Sequence, residues 1–572
     1  MKISKKNFKL GKFNKKVLQT LKKFNKENIV NRIWEKDAAV WKEGPEFNEL
    51  IKNRLGWLTL PVSMKSNCDE INLFVDELRS EGYTHAVVLG MGGSSMCPEV
   101  CREIFGVREG YLNLHVLDST DPMTVNDIEN SIDIEKTLFI VSSKSGSTIE
   151  VDSFLRYFFD KVSKVKGQNA GKNFIAITDP ATLLESTAKE NNFRKIFINP
   201  PDIGGRYSAL SYFGLVPAAI IGVDIVKFLN NAENMMDDCM TIIAEKNPGV
   251  YLGTAIGELS KKGTDKLTFV LPPRISSFGF WVEQLIAEST GKEDKGVIPV
   301  EGEATGKISS YGKDRLFTCL TLGKENGSER KLKKALIKND RPLIEIELDE
   351  LYDIGGQFYL WEFATSVMGV VIGINPFDEP NVKESKDNTG NVLKYFEENK
   401  KLPEQKPQVQ DKDLSVYVDK KSSGKKKTDK WKAEDFLKYF LDMSKKGDYI
   451  SLMAYIQKNK SNENILQEIR ELLRSKKKLA TTAGYGPRFL HSTGQLHKGG
   501  PDNGLYIQIV QDDTKDLEIP GKPYSFGVLK QSQANGDYES LKKHNRRVIR
   551  IDLGRNVEKG LTELYKKIKK AL

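Results

Sequence analysis

The residues best suited to chemistry fall in six short segments of the 572-residue chain. Ala86–Met96 reads AVVLGMGGSSM, an apolar strand that runs into Gly92, Gly93 and Ser94 before a helix. Glycines at such a turn let backbone N–H groups approach an anion or a sugar at the helix N-terminus. The pattern is not GxGxxG, since Ser95 takes the last glycine position, so a dinucleotide site is weakly supported. Leu138–Val151, LFIVSSKSGSTIEV, ends a second apolar strand in Ser143, Lys144, Ser145, Gly146 and Thr148. Hydroxyls, backbone amides and a helix dipole converging at one strand end make a phosphate cradle. Both loops fall at the carboxyl ends of strands, where open α/β sheets bind ligands.

Four further segments offer charged and acid–base groups. Pro201–Leu215 presents Arg206 after Gly204-Gly205, where an arginine can stabilise developing negative charge. Phe280–Lys292, FWVEQLIAESTGK, places Gln284 and Glu288 four apart on one helix face, with Glu288 at the helix end as a candidate general base. Gly369–Lys386 reads as an apolar helix ending at Gly373, an Asn-Pro turn, then a short helix that ends at Lys386. Taken singly, Arg206, Glu288 and Lys386 would each read as ordinary solvated residues. Gly484–Gly500, GYGPRFLHSTGQLHKGG, holds His491 and His497, two of the chain's five histidines. Without carboxylate or thiolate partners or an HExxH they do not define a metal site, and an acid–base role near pH 7 is the sharper reading.

Positioning these groups falls to an alternation of short apolar strands and amphipathic helices. Strands are expected at His85–Leu89, Leu114–Leu117, Thr137–Val141, Phe174–Ile177 and Lys195–Ile198, then at Leu267–Leu271 and Leu343–Leu348. That βαβ rhythm predicts parallel sheets covered on both faces. The expected units are a polar helical lead-in at 1–60, a first α/β domain at 61–230 and a second at 231–400. A proline-bearing, lysine-rich linker at 401–430 follows. NRRVIRIDLG (Asn545–Gly554) echoes NDRPLIEIELD (Asn339–Asp349), and the helical patterns upstream of both are alike, so 431–572 reads as a third, partial copy of the same unit.

Composition narrows the function classes. The net charge of +10 comes mostly from lysines near the N-terminus and around 420–432, which read as solvated surface rather than a nucleic-acid face. An odd count of five cysteines without CxxC indicates neither a disulfide framework nor a zinc ribbon. No apolar run reaches a membrane span and the basic N-terminus lacks an apolar signal region, so a reduced, cytoplasmic setting is expected.

Together the six segments resemble the phosphoglucose isomerase family. The SxSGxT loop is similar to the phosphate loop of the wider sugar-isomerase (SIS) domain superfamily, and GGRYS, AESTGK and INPFDEPNVKESK match three segments that carry that family's active site, in order. The resemblance covers about 60–400 and is nearest to the branch found fused to transaldolase in some bacteria, with no transaldolase portion here. It implies two doubly wound SIS domains (three-layer αβα) beside the partial third SIS-like unit, the active site between the first two, and a homodimer. It implies interconversion of glucose 6-phosphate and fructose 6-phosphate in glycolysis and gluconeogenesis, without metal or organic cofactor and without nucleic-acid or membrane partners. Residue by residue, Gly92, Gly93 and Ser94 match the sugar-binding turn, and Ser143, Lys144, Ser145 and Thr148 the phosphate loop. Arg206 matches the enediolate-stabilising arginine, Glu288 the proton-shuttling base with Gln284 beside it, and Lys386 the lysine near the ring oxygen.

Two departures stand out. The family's FDQxGVExxK reads FDEPNVKESK, so Glu379, Asn381 and Lys383 replace Gln, Gly and Glu. The family's ring-opening histidine lies between the glutamate and the lysine, yet no histidine stands between Glu288 and Lys386. HSTGQ at 491–495 is similar to the HSMGQ around that histidine in some bacterial members, so His491 is expected to reach the same site from its own chain or a neighbouring subunit, with His497 as second choice. A non-catalytic sugar-phosphate sensor and an isomerase of wider specificity, taking mannose 6-phosphate or an amino sugar phosphate, are the alternatives.

Overall fold

The computed structural model describes residues 5–323, 327–411, 414–418 and 430–572. In chain order the strands are β1 (Phe8–Lys9), β2 (His85–Gly90), β3 (Asn113–Leu117), β4 (Thr137–Ser142), β5 (Phe174–Thr178) and β6 (Lys195–Ile198). Then come β7 (Lys266–Val270), β8 (Ile298–Val300), β9 (Arg315–Leu322) and β10 (Leu343–Leu348). The last group is β11 (Val409–Gln410), β12 (Ser415–Val418), β13 (Tyr449–Tyr455), β14 (Ala480–Tyr485), β15 (Gly504–Val510) and β16 (Arg547–Asp552).

These strands make three sheets, ordered β3-β2-β4-β5-β6, β1-β10-β9-β7-β8 and β11-β12-β16-β15-β13-β14. Every sheet contains four parallel strands wound second–first–third–fourth in chain order. They differ at the edge beyond the fourth strand, which is parallel β6 in the first sheet and antiparallel β1 or β12 in the others. The repeated sequence segments occupy equivalent places. Asn339–Asp349 and Asn545–Gly554 contain β10 and β16, each the fourth strand, and the helices Gly327–Lys338 and Phe526–Lys543 precede them.

Continuous apolar runs account for this architecture. All six residues of β4 are buried, which a strand shows only when both sheet faces are covered. Its alternate side chains enter two cores: Leu138 and Ile140 join the one shared with the second sheet, while Phe139 and Val141 pack with Phe154 and Phe158. The third sheet likewise has Ile450 and Leu452 on one face and Tyr449 and Met453 on the other.

Three expectations change. The lead-in supplies β1 to the second sheet, and Val17 and Leu21 of its helix Asn14–Lys26 are fully buried in the shared core, because an amphipathic face needs a partner. The 401–430 stretch provides β11 and β12, which extend the third sheet, while 412–413 and 419–429 lie outside the described residues. The helix that begins at Val382 does not end at Lys386 but runs to Asn399, since Leu393 finds an apolar pocket in the first sheet's core.

The third sheet is joined to the others by buried ion pairs. Arg315 at the start of β9 makes a two-pronged pair with Glu303, at 3.0 and 3.1 Å, and both side chains are fully buried. The Glu303 carboxylate also accepts from the backbone and hydroxyl of Thr481 in β14. Lys530 reaches Asp121 of the first unit at 2.9 Å, again with no exposure on either side. Charges so deep are tolerable only when fully paired and hydrogen-bonded. Among the described residues no helix is long and apolar enough to cross a membrane.

Glu362 departs from that pairing. It lies in the almost wholly buried helix Asp353–Ile372, and neither carboxylate oxygen has a hydrogen-bond partner. Burial alone pushes its pKa well above the ordinary 4.5, so the folded chain keeps it protonated. The unfolded chain releases that proton above 4.5, so stability falls as pH rises, by about 1.4 kcal/mol per unit. Glu362→Gln, neutral at every pH, is expected to melt several degrees above wild type at pH 8, with the gap closing by pH 5. A pH-independent difference in scanning calorimetry would show that Glu362 is ionised in the fold.

Candidate active site

The first-sheet loops form the floor of the site. Gly92 adopts φ +55° ahead of the helix Gly93–Phe105, in whose first turn Ser94 lies buried. Gly93 touches the neighbouring loop so closely that a Cβ there would stand 1.9 Å from the Gly205 carbonyl oxygen. A Cβ on Gly92 would meet the Gln284 amide and the His491 backbone at 3.0 Å. The glycine turn is therefore the meeting point of the segments bearing Arg206, Gln284 and His491.

Beyond β4, the Ser143 and Thr148 hydroxyls lie 3.1 Å apart and the Gly146 N–H donates to Ser143 Oγ. Thr148 is the N-cap of the eighteen-residue helix Ile149–Lys166, yet its side chain caps none of the helix's N–H groups. The first-turn N–H groups other than that of Glu150, which its own carboxylate takes, together with exposed Ser145 suit an incoming phosphate. Lys144 is placed otherwise: its ammonium pairs with Asp179 and reaches the Pro201 carbonyl at 3.3 Å.

Arg206 is 2% exposed and spends its guanidinium on four partners. It donates to Ser289 Oγ (2.7 Å), Glu379 Oε2 (2.9 Å) and the carbonyls of Pro376 (2.8 Å) and Asp378 (3.0 Å), with Glu288 Oε1 at 3.5 Å. Burial opposes its charge, but the Glu288 and Glu379 carboxylates more than offset that and raise its pKa. Glu288 stands in the last turn of the helix Phe278–Thr290, as the i, i+4 spacing requires for contact with Gln284. The Gln284 amide donates to Glu288 Oε2 at 3.2 Å and to the His491 carbonyl at 2.8 Å. Burial, with the like charge of Glu379, raises the Glu288 pKa against the pull of Arg206, Gln284 and His491.

The third unit delivers His491. Its Nε2 lies 2.9 Å from Glu150 Oε1, in the first turn of the helix behind the phosphate loop. Burial would raise the Glu150 pKa, but His491, its own backbone N–H and Lys386 hold it below the ordinary value, so the imidazole faces an ionised carboxylate. Gln533 donates to the same oxygen at 2.7 Å and accepts from Thr120 at 2.8 Å, which fixes the carboxylate in turn. A cavity of about 170 Å3 is lined by Thr148, Lys386, Glu150 and His491 together.

His497, the second choice, does not reach this cleft. It is 2% exposed between Phe489 and Tyr506, and burial with nearby Lys498 and Arg546 drives its pKa well below 6.5, so it is a neutral core residue. Gln495 of the same HSTGQ segment clamps the site from outside, donating to the Gly291 carbonyl at 2.9 Å and to Asn381 Oδ1 at 2.8 Å while accepting from the Asn381 N–H. One unusual residue of FDEPNVKESK thus serves as the seat of the HSTGQ segment, and another, Glu379, holds Arg206.

Sequence reasoning passed over Glu150 and Lys292. An acidic residue in a helix's first turn is ordinary, so Glu150 carried no signal beyond its place after the phosphate loop. Lys292 is 3% exposed and grips both the backbone and the carboxylate of Asp378, holding the turn whose carbonyls Arg206 reads. Burial and Arg206 bring its pKa down to about 8, against the pull of Asp378.

Parallel sheets wound in this order, with glycine and serine loops at their carboxyl ends facing an arginine–glutamate pair, define a sugar-phosphate isomerase architecture. The family model for phosphoglucose isomerase matches residues 63–314. A probable glucose-6-phosphate isomerase of Methanococcus maripaludis is 30% identical over 353 residues, spanning 54% of this chain and 78% of that one. The glucose-6-phosphate isomerase of Carboxydothermus hydrogenoformans is 28% identical over 399 residues, 60% of this chain and 85% of the other. Among solved structures, a hypothetical protein of Thermus thermophilus aligns with TM-score 0.58 at 23% identity, over 67% of this chain and 98% of that one. A glucose-6-phosphate isomerase of Chlamydia trachomatis aligns at 0.50 and 18%, over 65% and 78%. The chain belongs to the phosphoglucose isomerase family.

The contact at Gly93 gives a direct check. Gly93→Ala must push the 92–94 turn off Gly205, and a forced overlap with backbone costs on the order of 1–3 kcal/mol. The expected outcome is a lower Tm together with a loss of isomerase activity larger than that of Gly204→Ala, whose Cβ would have no neighbour nearer than 3.6 Å. Equal effects would mean that the close approach does not shape the site.

Proposed function

We propose that this chain interconverts glucose 6-phosphate and fructose 6-phosphate through a cis-enediolate. The observation that carries the reading is the convergence of Glu288, Arg206, Gln284 and His491 at the glycine turn, beside a phosphate loop that shares a cavity with Lys386. The sugar's phosphate docks on the hydroxyls of Ser143, Ser145 and Thr148 and the free N–H groups of the helix end. His491, steadied by Glu150, and Lys386 move the proton between the ring oxygen and the anomeric hydroxyl, opening the ring. Glu288 then takes the proton from C2 and returns it to C1, and the reverse reaction exchanges the two carbons. The negative charge that grows on the enediolate oxygens falls near Arg206, whose charge the Glu288 and Glu379 carboxylates maintain against burial.

The decisive assay supplies fructose 6-phosphate with EDTA and follows glucose 6-phosphate. Wild type is expected to turn over, and Glu288→Gln to lose about 10²–10⁴-fold in kcat while still binding sugar phosphate. His491→Ala is expected to slow the reaction of the cyclic sugar. Binding without turnover in the wild type would favour a sensor instead.

The pH profile offers an independent check. Glu288 must be ionised to act, so kcat/KM is expected to fall on the acid side with an apparent pKa above 4.5. Glu379→Gln removes the like charge beside Glu288 and frees Arg206 for it, so the acid limb is expected to move to lower pH. A limb that stays in place would separate Glu379 from the base's ionisation.

A further inference from the structure

A second cavity, of about 320 Å3, lies on the far side of the 488–492 segment and shares none of Arg206, Glu288, Lys386 or His491. The helix Phe278–Thr290 turns Gln284 toward the cleft and the preceding Glu283 into this cavity, where Glu301 joins it just after β8. Glu283 is 8% and Glu301 5% exposed, and neither carboxylate has a hydrogen-bond or ion-pair partner among the described residues. Buried carboxyls without partners are costly, and these two also repel one another. Arg470 attracts both through space but hydrogen-bonds neither carboxylate, because its Nη groups donate to the backbone carbonyls of Glu301, Gly302 and Thr481. Arg488 attracts them likewise, while its own ion-pair partner is Asp118 at 3.0 Å. Lys458, over one side of Phe280, has Glu463 as its ion-pair partner at 3.6 Å.

The geometry points to a binding site for a small ammonium-bearing molecule with a polar, hydroxylated body, its ammonium received by Glu283 and Glu301 and its oxygens by Lys458. Two adjacent carboxylates supply the acceptor charge that an ammonium needs on leaving water, and the cation in turn removes their mutual repulsion. The volume holds a molecule of amino-sugar size. A ligand there would press on Ser492 and Glu283, each adjacent in sequence to a residue of the cleft.

Glucosamine and glucose make a matched pair of probes that differ in one ammonium and lack the phosphate that the cleft anchors. Isothermal titration of the full chain at pH 7 is expected to show saturable glucosamine binding, with glucose bound about tenfold or more weakly. Saturating fructose 6-phosphate is expected to leave glucosamine bound. Glu301→Gln and Glu283→Gln are each expected to weaken glucosamine by about tenfold or more, and if one of them fails to fold the other decides. Absence of saturable binding, equal affinity for glucose, displacement by fructose 6-phosphate, or unchanged affinity in a folded variant would each overturn the assignment.

Discussion

A guanidinium with almost no access to water governs the architecture of the cleft. Arg206 must satisfy every N–H from protein, and it does so by drawing together Ser289, Glu379 and the carbonyls of Pro376 and Asp378. Those partners come from one helix end and one turn, about 80 and 170 residues away in sequence. The same demand explains Lys292, whose ammonium holds Asp378 in the posture that Arg206 requires. Losing one of these contacts would strand a buried charge, so the segments move as one body.

Onto that body the third unit adds His491, the histidine that lines the cleft. The loop after β14 lies against the glycine turn and the helix of Glu288. Gln495 and Asn381 fasten it, and the Arg315–Glu303–Thr481 network fixes the sheet behind it. The sequence position of a group that reaches a site is free to change so long as the backbone that presents it stays anchored on both sides.

Much of this was legible beforehand. Strands such as Lys195–Ile198 and Leu343–Leu348 fall where their apolar runs place them, and the strand–helix echo marks the fourth strand of two sheets. β9 escaped notice because it opens with Arg315, a charge that only its buried pairing with Glu303 makes compatible with a central strand. Glu150 and Glu379 were opaque for a related reason: a carboxylate's part in a site depends on which distant cation or imidazole folds onto it, and no local pattern records that. Lys144 fits the phosphate-loop motif, and in the fold Asp179 pairs with its ammonium.

The distance between Lys386 and His491 along the chain also has a meaning in time. During synthesis the first two sheets can close around Arg206 and Glu288 while the histidine's own sheet, which needs β16, is still unmade. At about 5–20 residues per second, the roughly 160 residues from Lys386 to the end of that strand take about 10–30 s to appear. For that interval the cleft's arginine and glutamate have been made, while its imidazole has no sheet to hold it. The cleft is therefore completed late, when the last parallel strand of the third sheet docks.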